Sequence, residues 1–246
     1  MVTAEFATLE ARCRRREELG AQVGPAARAT LGPGVKAMLH GPSGTGKTLA
    51  ARLLAGLLGI DVFRVDLSAI VNKYIGETEK NLERLFSRAE ALDVVLLLDE
   101  GDALLTPRTA VSSSVDRYAN LETNYLLQRI ESYQGIVLIT TNAVDRVDRA
   151  FQRRMDVIVE FPLPDLVERA RIWALHLPER HEVSATLLEE VAQRCRLSGG
   201  QIRNASLHAA LLALERGAPL GDAELIAAIQ REYRKLGGSS PLRGVR

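Results

Sequence analysis

Gly41-Pro42-Ser43-Gly44-Thr45-Gly46-Lys47-Thr48 is the stretch that decides the fold of this chain. An apolar run at residues 35–40 precedes it and predicts a buried strand, while residues 49–54 after it predict a helix. In this context of strand, loop and helix, the spacing G-x-x-x-x-G-K-[ST] predicts a loop that binds phosphate. A glycine-rich turn without a ligand would require neither the lysine nor the threonine.

The residue types of this loop suit a bound polyphosphate. The glycines let successive backbone N–H groups point inward, and the N-terminus of the following helix adds a partial positive charge. Lys47 is predicted to reach the β- and γ-phosphates, and the Thr48 hydroxyl is predicted to complete the coordination of Mg²⁺.

Composition sets limits on the function. The chain has 246 residues, and its formal net charge of +1 argues against a dedicated nucleic-acid binder. Cys13 and Cys195 are far apart and fit neither a metal motif nor a disulfide scaffold, which implies a reducing compartment. The N-terminus does not resemble a signal peptide, and the apolar runs are too short to cross a bilayer. We therefore expect a soluble, cytoplasmic protein.

The fold class follows from alternating strand and helix patterns. Short β-rich runs alternate with helical segments at about 46–58, 78–92 and 119–133, which is typical of a parallel sheet covered on both faces. The predicted strands are 35–40, 62–66, 94–99, 136–141 and 157–161. The predicted class is therefore α/β.

After residue 162 the strand patterns end and the chain becomes helical. Capping boxes are predicted at Asp165–Glu168, Thr186–Glu189 and Ser198–Gln201. We predict four regions: an N-terminal helix and linker (1–34), an α/β nucleotide-binding domain (35–162), a small α-helical domain (163–236) and a loose tail (237–246).

A second nucleotide signal is the apolar run at residues 94–98 followed by Asp99 and Glu100. Asp99, at the carboxyl end of the predicted strand, is expected to face the phosphate loop and hold Mg²⁺ directly or through water. Glu100 is expected to polarise the water that attacks the γ-phosphate. A solvated acidic turn is the alternative interpretation.

Together these motifs resemble the AAA+ ATPases, and within them the AAA clade of ring-forming protein remodellers, over roughly residues 20–236. The resemblance implies a P-loop NTPase sheet followed by a helical lid, with ATP and Mg²⁺ as cofactors. Ile139-Thr140-Thr141-Asn142 looks like the sensor 1 motif of that family, in which the polar residue, here Asn142, helps to orient the attacking water.

Residues 147–156 look like the region of the family in which arginines reach the nucleotide site of a neighbouring subunit. Such an arginine neutralises charge that develops on the γ-phosphate. The family usually separates two arginines by Pro-Gly, whereas Arg153 and Arg154 are adjacent here, so either one is a candidate. Arg146 and Arg149 are weaker candidates, and a charged helix end is the structural alternative.

Two further motifs carry the resemblance. Gly199-Gly200-Gln201-Ile202-Arg203 looks like sensor 2, in which Arg203 would approach the phosphates of its own subunit; a structural ion pair is the alternative. Residues 72–79 resemble the pore loop of the clade, in which Tyr74 and Ile75 would grip an extended polypeptide by shape and dispersion. A core tyrosine at a strand end is the competing interpretation.

The resemblance implies an ATP-driven homo-oligomer, a hexamer, that remodels, unfolds or disassembles a protein substrate in a chaperone-like way. Residues 116–128 are also similar to a run in AAA ATPases of bacterial contractile injection system clusters. Two alternatives stay open: a DNA-linked AAA+ ATPase such as a loader or recombination motor, and a scaffold that binds ATP without hydrolysing it. Neither a basic channel nor an appended nucleic-acid domain is visible for the first, and the Asp99-Glu100 pair argues against the second.

Overall fold

The structure is a computed structural model that describes residues 2–32, 34–66, 77–99, 101 and 124–242. The chain forms two compact units. The first unit contains Met1–Gly41 and Lys47–Phe161, and the second contains Pro42–Gly46 and Pro162–Arg246. The domain boundary predicted after residue 162 differs by one residue from the end of the first unit at Phe161.

A five-stranded parallel sheet forms the centre of the first unit, in the order β2-β3-β4-β1-β5. The parallel α/β fold predicted from the sequence is therefore confirmed, and the strand ends differ from the predicted ones by at most one residue. The strands are β1 (Val35–His40), β2 (Val62–Asp66), β3 (Val95–Asp99), β4 (Ile136–Thr141) and β5 (Val157–Glu160).

Apolar side chains cover both faces of this sheet. Successive residues of a strand point to opposite faces, so Ala37 and Leu39 lie in one buried cluster and Met38 lies in the other. Strands β3 and β4 are buried along their whole length, whereas β2, at the edge, is partly exposed. Burial on both faces explains why these strands are continuous apolar runs instead of alternating ones.

Helices of the first unit cover the two faces. Buried residues of α1 and α4 lie in one cluster, and those of α5 and α6 lie in the other. The helices are α1 (Val2–Arg14), α2 (Arg16–Leu19), α3 (Pro25–Thr30), α4 (Lys47–Leu58), α5 (Glu77–Leu92), α6 (the helical residues 124–132) and α7 (Arg149–Gln152).

Helix α1, in the region predicted as an N-terminal helix and linker, is part of the first unit. Leu9 and Cys13 are fully buried among strand residues of the sheet. The Arg12 guanidinium donates to Asp156 Oδ1 at 2.6 Å, while Asp156 Oδ2 accepts the backbone N–H of Lys36 at 2.8 Å. Burial raises the pKa of the Cys13 thiol to about 12, so this cysteine stays protonated and unreactive.

Four helices build the second unit around the buried Trp173, Ile202 and Ile229. Asp165 and Ser198 each cap a helix in a capping box, as predicted. The predicted capping box at Thr186 is wrong, because Ser184 accepts the Leu187 N–H and starts the helix earlier. The helices are α8 (Leu166–His176), α9 (Ala185–Arg194), α10 (Gly199–Arg216) and α11 (Asp222–Lys235).

Candidate functional site

The sheet order brings three predicted motifs to one edge. Strand β4 pairs with both β1 and β3, and all three strands run in parallel. Their carboxyl ends therefore lie side by side, at His40 on β1, Asp99 on β3 and Thr141 on β4. In open α/β sheets, ligands bind at this edge, outside the carboxyl ends of the strands.

The phosphate loop follows β1 directly and depends on its glycines. Gly41, Gly44 and Gly46 have φ angles of 141°, 77° and 103°, which residues that carry a Cβ rarely adopt. At Gly41 there is also no space, because an added Cβ would lie 2.1 Å from the Phe161 carbonyl oxygen. Gly41 therefore lets the loop leave the sheet against the backbone that follows β5.

We predict that Gly41→Ala costs about 3 kcal/mol or more of unfolding free energy, because it combines backbone strain with a clash against rigid backbone. Gly46→Ala is the matched control, since its φ is also positive but an added Cβ meets nothing within 4 Å. Urea unfolding of both variants measures the difference. Equal losses for the two variants would contradict the packing role of Gly41.

Lys47, the first residue of α4, joins the loop to the end of β4. Only 7% of this residue is exposed. Its Nζ donates to the Gly41 carbonyl oxygen at 2.7 Å and to Asn142 Oδ1 at 2.8 Å. The structure therefore brings together the predicted phosphate-binding lysine and the predicted sensor 1 residue, which lie 95 positions apart in the sequence.

Asn142 itself is exposed and follows β4 in a turn. The Ala143 N–H donates to Thr141 Oγ1 at 3.1 Å, which fixes the backbone on either side of Asn142. This turn holds the amide at the carboxyl edge of the sheet, where it reaches Lys47 Nζ.

Asp99 ends β3 and is 7% exposed. Its Oδ1 accepts a short hydrogen bond from the Thr140 hydroxyl, and its Oδ2 accepts one from Arg64 Nε at 2.7 Å. Sequence reasoning missed both partners. The contact of Arg64 depends on the register of β2 against β3, in which Asp66, two residues after Arg64, is level with Asp99.

The donor set at this edge fits a magnesium ion. Mg²⁺ prefers hard oxygen ligands and is usually held by one or two carboxylates with hydroxyls, water and phosphate. Asp99 supplies a buried carboxylate, and Thr48, in the first turn of α4, supplies a half-buried hydroxyl. Within the described ranges, which omit Glu100, there is no cluster of three or more His, Cys, Asp or Glu side chains that would form a metal centre of another kind.

His40, the last residue of β1, adds no charge to this edge at neutral pH. Burial lowers the pKa of its imidazole, the positive charge of Lys47 lowers it further, and Glu160 and Asp145 partly oppose the shift. The ring is therefore neutral at pH 7, and Lys47 is the charged group that follows this strand.

The two candidate arginines differ in their surroundings within the first unit. Arg154 Nε donates to the Glu131 carboxylate in a close ion pair. The Arg153 side chain is exposed, and in the part of the chain that the structure describes it makes no hydrogen bond or ion pair. Arg149 is exposed at the start of α7, and the backbone of Arg146 lies in a short 3₁₀ turn, Val144–Arg146.

The loop segment Pro42–Gly46 belongs to the second unit together with the start of α10. The Gly200 N–H donates to the Gly44 carbonyl oxygen at 2.8 Å, and Thr45 Oγ1 donates to the Pro42 carbonyl oxygen at 2.9 Å. Arg203, the fifth residue of α10, is exposed and donates to Asn204 Oδ1 at 3.3 Å. Its role toward phosphate stays a prediction.

Several predicted site residues lie outside the described residues. These are Glu100, the predicted general base, and Tyr74 and Ile75, the predicted pore-loop residues. Most of the run at 116–128 also lies outside them. In the described part of the chain, no helix is long and apolar enough to span a membrane.

Comparison with known proteins gives a family match over the α/β part of the chain. The model of the "ATPase family associated with various cellular activities (AAA)" matches residues 37–163. The match includes the phosphate loop, Asp99, Asn142 and the adjacent arginines.

Two curated relatives and one solved structure are similar over most of the chain. The proteasome-activating nucleotidase of Aeropyrum pernix is 32% identical over 216 residues, which are 83% of this chain and 53% of the relative. The ATP-dependent zinc metalloprotease FtsH 3 of Sphaerobacter thermophilus is 36% identical over 203 residues, 79% of this chain and 41% of the relative. The chain therefore spans about half the length, or less, of these relatives.

The solved structure is the FIGL-1 AAA domain in complex with ADP. It superposes with a TM-score of 0.66 at 24% identity and covers 89% of this chain and 76% of the FIGL-1 chain. This likeness concerns the fold.

Proposed function

Because the chain belongs to the AAA family of ATPases, we propose that it couples ATP hydrolysis to the remodelling of a protein substrate and works as a homo-oligomeric ring. The observation that carries this proposal is the position of Lys47 Nζ, within 2.8 Å of Asn142 Oδ1 and 2.7 Å of the Gly41 carbonyl oxygen. A cation held there, at the base of a glycine-rich loop, suits the β- and γ-phosphates of ATP.

Asp99 and Thr48 would hold Mg²⁺ at the same edge of the sheet. When bound, this ion neutralises charge on the phosphates of the nucleotide. The Thr140 hydroxyl fixes the orientation of the Asp99 carboxylate by donating to its Oδ1. Glu100 follows Asp99 in the sequence and would accept a proton from the attacking water, while Asn142 would orient that water.

Arginines from a second copy would complete the site. Both arginines are exposed, but Arg154 is paired with Glu131 of its own chain, so the contacts favour Arg153 as the residue offered to a neighbour. A guanidinium supplied in this way stabilises the charge of the transition state. Hydrolysis would then require assembly, and six copies is the ring size we propose.

Protein remodelling is supported by the kinds of relatives that the chain resembles. One is described as activating the proteasome, and another is an ATP-dependent protease. We propose that Tyr74 and Ile75 contact an extended polypeptide substrate. The substrate would be gripped by shape and dispersion, which do not depend on its sequence.

The test is the rate of MgATP hydrolysis per chain as a function of protein concentration, with molar mass followed in parallel by light scattering. We expect the rate per chain to rise steeply as the mass approaches that of a ring, because the site is incomplete without a neighbour. A constant rate per chain in a monomer would contradict the ring proposal. Stimulation by DNA that is lost at high salt would instead support a DNA-linked ATPase.

A further inference from the structure

Arg64 has no part in the function proposed above, yet it contacts the carboxylate that is central to it. Its Nε lies 2.7 Å from Asp99 Oδ2. In the parallel register of β2 and β3, Arg64 is level with Leu97 and Asp66 is level with Asp99. Arg64 and Asp99 therefore lie on the same face of the sheet, on neighbouring strands, which makes the contact a product of the strand register.

The two partners of this ion pair differ in their access to water. The Asp99 side chain is 9% exposed, whereas the Arg64 side chain is 56% exposed. A buried carboxylate without a compensating charge is costly, so Asp99 needs a cation in every state of the protein. Arg64 supplies one, and because its guanidinium reaches solvent it can leave without becoming buried and unpaired.

Arg64 and a magnesium ion on Asp99 would compete. Both are cations that require the same carboxylate, and two cations within a few ångströms of each other repel strongly at a partly buried site. Thr140 donates to Oδ1 and Arg64 donates to Oδ2, so a magnesium ion that binds Oδ2 would take the place of Arg64.

We propose that Arg64 is a built-in counter-ion of Asp99 that magnesium must displace, so that this arginine sets the magnesium dependence of nucleotide binding. This inference rests on the proposed role of Asp99 as a magnesium ligand. Arg64 is a positioning residue here, since it acts through Asp99.

Loss of the Arg64 charge should change the nucleotide affinity in opposite directions without and with magnesium. Without magnesium, loss of the Arg64 charge leaves Asp99 as a bare anion that repels the phosphates, so nucleotide binds more weakly. With magnesium, loss of the competing cation makes nucleotide bind more tightly. The ratio of the dissociation constant in EDTA to that in excess Mg²⁺ therefore rises. A merely structural role would weaken both affinities together and leave this ratio unchanged.

The experiment measures the affinity of the full chain for a fluorescent ADP analogue in EDTA and in excess Mg²⁺. In Arg64→Gln we expect the ratio to rise about tenfold, which corresponds to about 1.4 kcal/mol. Arg64→Met, which keeps much of the aliphatic stem, should change the ratio in the same direction. This variant replaces Arg64→Gln in the experiment if Arg64→Gln does not fold. Arg64→Lys keeps the charge and should stay within about threefold of the unchanged protein.

Two controls separate this inference from the function on which it rests. Arg88→Gln removes an exposed arginine of α5 and should leave the ratio unchanged. Asp99→Asn should bring the ratio toward one if Asp99 holds magnesium, and an unchanged ratio in that variant would contradict the metal role itself. If Asp99→Asn behaves as expected while folded Arg64→Gln keeps the ratio of the unchanged protein within twofold, the counter-ion proposal is wrong.

Discussion

Glu100→Gln is expected to bind MgATP as tightly as the unchanged protein and to hydrolyse it about 10²–10⁴-fold more slowly. The amide keeps the shape of the carboxylate, so MgATP can still bind. It cannot accept a proton from the attacking water, so the chemical step slows. Binding of a fluorescent ATP analogue and single-turnover hydrolysis measure the two properties separately. Normal turnover would show that another group activates the water.

Lys47→Ala is the matched variant, because it should weaken the binding of ATP, which Glu100→Gln leaves unchanged. Lys47 is a buried cation whose Nζ reaches both the loop and Asn142. Its removal takes away charge-assisted hydrogen bonds to phosphate, so we expect binding about 10–100-fold weaker. A Lys47→Ala chain that binds ATP normally and turns over slowly would contradict this division of roles between Lys47 and Glu100.

The parallel sheet and the phosphate loop were predictable from sequence because their signals are local. A strand such as β3 is a continuous apolar run, and the loop has a fixed spacing of glycines ahead of Lys47. Once β4 is placed beside β1, the proximity of Lys47 and Asn142 also follows, because ligand sites gather at the carboxyl ends of parallel strands.

The partners of individual side chains were not predictable, because they depend on packing between distant segments. Arg12 binds Asp156, which is 144 positions away, so this pair forms only when α1 packs against the sheet. Arg64 contacts Asp99 across 35 positions, and that contact requires the register of β2 against β3. Composition and periodicity fix which face of an element is buried, but they leave open which neighbour faces it.

The adjacent arginines illustrate the same limit and lead to a further prediction. Sequence alone leaves Arg153 and Arg154 equivalent, whereas the structure pairs Arg154 with Glu131. We expect Arg153→Ala to lower ATP turnover in the assembled protein by about 10³-fold or more, because it removes the charge offered to the neighbouring site. Arg154→Ala removes a partly exposed ion pair and should cost about 1 kcal/mol of stability or less. Turnover and thermal unfolding of both variants check this difference.

Mixing two inactive variants tests whether Arg153 acts on a neighbour. Glu100→Gln has a defective site but an intact Arg153, while Arg153→Ala has an intact site but lacks the arginine. In a mixed ring, Arg153 of a Glu100→Gln subunit can meet the intact site of an Arg153→Ala subunit, so hydrolysis should recover to a sizeable fraction of the unchanged rate. If Arg153 serves its own subunit instead, every subunit in the mixture stays defective and no activity returns. Recovery of hydrolysis in the mixture therefore requires both that the chains assemble and that Arg153 acts on the site of a neighbouring subunit.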